Sequence, residues 1–85
     1  MQGNEKAELK RRTVEMLEST IRTRRLAARQ YRDDPKGYAK EWYRAAGAVD
    51  GVKRVLETVF DTPRGEVETL EEVLRRQIDD GNDGP

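Results

Sequence analysis

From Tyr38 to Val59, apolar residues recur at Tyr38, Trp42, Ala45, Val49, Val52, Leu56 and Val59, alternating four- and three-residue steps without a break. Each such step returns to the same side of an α-helix, so the segment carries one continuous apolar seam. Nothing else in the chain is as regular. A seam of this kind exists to meet another helix, and the fold class it implies is all-α.

Size makes that meeting necessary. A chain of 85 residues forms one domain, and it buries only about 60% of the surface its unfolded form exposes. There is no cysteine and no histidine, so neither a disulfide nor an ordinary zinc site can reinforce the core. Charged residues make up 40% of the chain against 34% hydrophobic, which implies a narrow core under a heavily charged surface. No stretch approaches the roughly 18 apolar residues of a membrane span, and the charged start lacks the apolar run of a signal peptide. The expectation is a soluble, unprocessed, cytoplasmic chain with no membrane partner.

Net charge is zero but unevenly spread. The balance of Lys and Arg over Asp and Glu is +4 in residues 1–33, +1 in 34–60 and −5 in 61–85. Such asymmetry signals either an anionic partner for the basic end or two ends of one fold attracting each other.

Three helices are expected in a single domain over 1–80, with a flexible tail at 81–85. The first covers 4–32, with Asn4 as cap and Glu5 and Glu8 in the dipole-favoured first turn. Its main apolar line is Val14, Leu17, Ile21, Ala28 and Tyr31, with Lys10 and Arg24 in the two missing places. A second, weaker line runs beside it through Leu9, Thr13, Met16, Thr20, Thr23 and Ala27, so this helix has room for two neighbours. Asp34-Pro35 punctuates the chain and opens the second helix, 35–60, with Asp34 as cap. Gly47 and Gly51 weaken that helix by about 1 kcal/mol each relative to alanine. The seam keeps its phase through them, so one continuous helix is the reading and a break at Asp50-Gly51 the alternative. The third helix, 63–79, takes Thr62 as cap and Pro63 in its first turn, with an apolar face of Val67, Leu70, Val73, Leu74 and Ile78.

A turn of about five residues between two long helices favours an antiparallel hairpin. Folding there pairs Tyr31 with Tyr38, Ala28 with Trp42, Arg24 with Ala45, Ile21 with Val49, Leu17 with Val52 and Val14 with Leu56. In this register Arg24 can lay its guanidinium on Trp42 or Tyr38, and a large residue at Ala28 is badly tolerated. The third helix then either closes a three-helix bundle, or two hairpins dimerise into a four-helix bundle with that helix as an arm.

Missing parts exclude most catalysis. Without histidine or cysteine there is no Ser-His-Asp or Cys-His arrangement, and no glycine-rich phosphate loop is present. The acids Glu68, Glu71 and Glu72 read as a solvated face followed by arginines, with four-residue pairs Glu71/Arg75 and Glu72/Arg76. No catalytic residue, metal, cofactor or small-molecule substrate is expected, and the chain is read as no enzyme.

The candidate anion- or partner-binding residues are Arg22, Arg25, Arg29 and Arg32, which recur at three, four and three residues as one stripe. Such a stripe can follow a phosphate backbone. Alternatively, these arginines pair with the acids of the third helix or of another subunit. Leu26 and Tyr43 fall outside the seam and are candidate partner-surface residues.

The run Ala45-Ala46-Gly47-Ala48-Val49-Asp50-Gly51-Val52-Lys53-Arg54-Val55-Leu56-Glu57 resembles a segment common in short helical reading frames of phages and prophages. The resemblance covers about a sixth of the chain and implies a small accessory, inhibitory or virion component that works by binding. The functional expectation is a helical protein–protein interaction protein that self-associates and binds another protein. A nucleic-acid-binding module using the arginine stripe is the alternative.

Overall fold

A computed structural model of the chain describes residues 2–82. They form three helices: α1 (Gln2–Asp33), α2 (Pro35–Thr58) and α3 (Arg64–Asn82). The fold is an all-α three-helix arrangement in which α1 packs mainly on α2, with α3 laid across the hairpin and leaning more on α1. No strand occurs among the described residues, and none of their helices is long and apolar enough to cross a membrane.

The hairpin turn is tighter than expected, because Asp34 alone separates the two helices. Its backbone N–H donates to the Gln30 carbonyl and its carbonyl accepts from Tyr38 N–H. Its carboxylate accepts from Gly37 N–H at 3.1 Å, while Pro35 fills the first turn, where a missing N–H costs nothing. A Cβ on Gly37 would lie 2.3 Å from that carboxylate, so the glycine makes room for the cap. α2 runs unbroken through Gly47, Asp50 and Gly51.

Helix ends differ from expectation in three places. Asn4 does not cap α1, which already begins at Gln2. α2 stops at Thr58 instead of residue 60, because the chain turns through Asp61 at φ 52°, a left-handed conformation no helix can continue through. Thr62 is not the cap of α3; its backbone N–H turns back to the Leu56 carbonyl, and the Pro63 carbonyl accepts from Glu66 and Val67. Gly81 and Asn82 belong to α3, which shortens the expected tail to 83–85, outside the described residues.

The core joins Leu17 and Ile21 of α1, Val49, Val52 and Leu56 of α2, and Val67, Leu74 and Ile78 of α3, with Val14, Phe60 and Leu70 packed against it. Ala45 is buried, and so is Ala27 from the second line of α1. Ala28, Tyr31 and Trp42 are half-buried. Both ends of the seam fall outside the core: Tyr38 is 36% exposed and Val59 55%. Tyr38 stands in the first turn of α2, next to the Asp34 turn. Val59 lies past the end of α2. Val73 is also exposed, a third of a turn off the face that α3 buries.

The hairpin register is shifted from the expected one. Tyr31 stacks on Trp42, with ring centroids 6.0 Å apart and planes at 22°, rather than facing Tyr38. At about 1.5 Å per residue the 32 residues of α1 span about 48 Å, which is the long dimension of the molecule. α2 has only 24 residues, so the first turns of α1 extend past its end.

Candidate functional site

Three surfaces were open to function: the acids of α3, the arginine stripe of α1, and the side of the hairpin away from α3. The acids are largely consumed by the fold. Glu71 turns inward and takes Lys53 of α2 at 2.8 Å and Arg24 of α1 at 3.0 Å, so one carboxylate ties all three helices together. Lys53 also reaches Glu68 at 3.4 Å. Burial works to raise the Glu71 pKa, but the hydrogen bonds from Lys53 and Arg24 outweigh it and hold the carboxyl below its ordinary range. The Lys53 ammonium is shifted upward, chiefly by its hydrogen bond to Glu71. Arg24 is therefore engaged with α3 and does not lie on Trp42 or Tyr38 through any recorded contact.

The expectation that Glu71 faces solvent and pairs with Arg75 is corrected by this arrangement. Glu72 instead takes both Arg75, at 2.6 Å, and Arg76, at 3.0 Å. The sequence did carry a signal for the tie. Arg24 interrupts an apolar line, and a cation on a packing face calls for an acid opposite.

The arginine stripe is divided. Arg22 pairs loosely with Glu18 at 3.6 Å. Arg25 donates to the Ile78 carbonyl at 3.1 Å and lies 3.4 Å from Asp79, so it fastens the end of α3. Arg29 and Arg32 are exposed and make no ion pair among the described residues. Arg22, Arg25 and Arg29 surround Leu26, which is 56% exposed. Tyr43 is 68% exposed.

Between α3 and the turn end of the hairpin lies an open cleft of about 470 Å³. Ile21, Ala28, Trp42 and Ala46 supply its apolar wall, and Arg24, Arg25, Glu71 and Asp79 its polar one. These four charges satisfy one another; Arg75, held by Glu72, and Asp50, which makes no ion pair among the described residues, complete the lining. No cluster of three or more acids among the described residues is placed to hold a metal.

The remaining surface is the back of the hairpin. Leu9, Thr13, Met16, Thr20, Thr23 and Ala27 of α1 share a side by helical spacing, and Ala45, Ala48, Val52, Val55 and Val59 do so on α2. A groove with small residues Thr23, Ala27, Ala45 and Ala48 at its floor joins the two rows, and Leu26, Gln30, Glu41 and Arg44 also line it. The rows are apolar or hydroxyl-bearing from Leu9 to Ala27 and from Ala45 to Val59, and charge enters at the turn end with Glu41 and Arg44. Of the eight large apolar side chains exposed among the described residues, Leu9, Met16, Val55 and Val59 belong to this side, and Leu26 stands at its edge beside the arginines. Isolated exposed apolar residues are ordinary, but four on one face are a patch. The weak second line of α1 pointed to it, while its α2 half was hidden behind the stronger seam.

Comparison with protein-family models, with curated proteins and with solved structures gives no match to this chain.

Proposed function

We propose that this chain is a non-enzymatic helical interaction protein whose binding surface is the back of its hairpin. The observation that carries the proposal is the face on which Leu9, Met16, Val55 and Val59 stand exposed. Leaving such a patch in water costs about 25 cal/mol for each Å² of apolar surface that a partner would cover. Its small central residues, Thr20, Thr23, Ala27 and Ala48, let another helix approach closely. The phage-like segment of α2 is compatible with a small accessory, inhibitory or virion component, which would act in a host cytoplasm or a particle.

The test is a photo-crosslinking side chain placed at Met16, with the same group at exposed Asp80 as control. Protein adducts at Met16 and not at Asp80 are expected in cells expressing the chain. Absence of any protein adduct at Met16 refutes the proposal. The rival reading, nucleic-acid binding through Arg29 and Arg32, is checked by DNA and RNA retention at low salt. It stands only if retention falls as salt rises and is lost on Arg29→Glu with Arg32→Glu.

A further inference from the structure

We infer that the occupant of the hairpin's back face is a second copy of this chain, related by a two-fold axis perpendicular to the helices, so that the turn end of each hairpin lies over the open end of the other. This rests on the reading of that face as a protein-binding surface and adds its partner and geometry.

Area is sufficient. A face as long as the 24 residues of α2 and two helices wide measures about 36 Å by about 18 Å, roughly 650 Å² per copy. The pair would bury about 1,300 Å², inside the range of stable protein interfaces.

Charge selects the direction. Residues 22–44, the turn end of the hairpin, hold eight Lys or Arg against three Asp or Glu, whereas residues 2–21 and 51–62, at its open end, are balanced at six against six. Asp79 offsets part of the turn-end charge, but on the α3 side. A two-fold axis parallel to the helices would set the two basic ends side by side. The perpendicular axis places them at opposite ends of the dimer, beyond the Debye length of about 8 Å at physiological salt.

Helix length selects the register. The first turns of α1 extend past α2 and carry Leu9, 55% exposed, with no partner helix of this chain beside it. Antiparallel pairing of α1 about its own midpoint, between Leu17 and Glu18, lays Leu9 over Thr23 and Ala27 of the second copy. Leu9, Thr23 and Ala27 share one face by helical spacing, so a large side chain covers small ones. Met16 then lies near the axis, where it meets the Ser19–Thr20 turn of the other copy, a large side chain on small ones. Tyr43, Arg29 and Arg32 stay outside this contact, so the dimer leaves them for another protein.

Light scattering after size exclusion is expected to give twice the 9.8 kDa chain mass. Met16→Glu and Val55→Glu, both at exposed positions, are each expected to weaken association at least tenfold while leaving the helical circular dichroism unchanged. Because the chain has no cysteine, direction can be read by disulfide trapping. Leu9→Cys and Thr23→Cys chains, mixed and oxidised, should cross-link to each other. Thr23→Cys alone should not, since its two copies would stand about 17 Å apart. A monomer at high concentration, a dimer indifferent to both glutamates, or Thr23→Cys cross-linking to itself would overturn the inference. A monomer that still gives Met16 adducts to another protein removes the second copy and leaves the proposed function standing.

Discussion

Thr62 shows how one buried atom can work against its fold. The residue is 8% exposed, and its hydroxyl has no hydrogen-bond partner, because its backbone rather than its side chain closes the turn onto Leu56. A buried hydroxyl left unpaired costs about 1–3 kcal/mol. Thr62→Val keeps the shape and removes that penalty, so it should leave stability unchanged or raise it by about 1 kcal/mol in urea denaturation. A second residue-level expectation reverses the one drawn from the sequence. Ala28 faces the cleft beside Trp42 rather than a closed contact. Ala28→Leu should therefore be accommodated, with a melting temperature equal to or above that of the parent. A fall of ten degrees or more would mean that the cleft closes in solution.

At the scale of elements, the glycines of α2 and the docking of α3 separate local from tertiary effects. A Cβ added at Gly47 or Gly51 would meet no atom within 4 Å, and both glycines have ordinary helical backbones. Gly47→Ala should raise stability by about 1 kcal/mol, through backbone entropy alone. The docking of α3 depends on Arg25, which holds the Ile78 carbonyl and Asp79. Arg25→Glu should cost about 1–2 kcal/mol and lower the melting temperature by roughly 5–10 °C. Arg29→Glu, a neighbour on the same stripe, should leave it unchanged. Equal effects from the two substitutions would contradict the division of labour within the stripe.

The whole molecule is tied at Glu71, where α1, α2 and α3 meet through one carboxylate. Its folded pKa lies below the ordinary value, so its contribution is present above the unfolded glutamate range of about 4.3 and is lost as pH falls through the folded pKa. Lys53 is shifted upward, so its part is present below the ordinary lysine range of about 10.4 and is lost as pH rises through its own folded pKa. Stability should thus be flat across neutral pH and fall at acid pH. Glu71→Gln should cost about 1–3 kcal/mol at pH 7, because Arg24 and Lys53 are left half-buried without their acid, and it should flatten the acid limb. An unchanged acid limb in thermal melts would show that other carboxylates control it.

Local geometry explains what the sequence by itself determined. Spacing converts directly into angle around a helix, so the seam of α2, the line of α1, the Asp34-Pro35 turn and the three-helix class could all be read without coordinates. Helix ends were misplaced where a single dihedral decided them, as at Asp61. The tertiary structure decided what lies opposite each angle. A small shift in the hairpin register moved Trp42 onto Tyr31, and the landing of α3 on one side of the hairpin drew Arg24, Arg25 and Glu71 inward. The same landing left the other side bare. Periodicity shows which residues share a face, but whether that face is covered depends on where a distant segment comes to rest. The back of the hairpin is therefore a site that only the packing of α3 could expose.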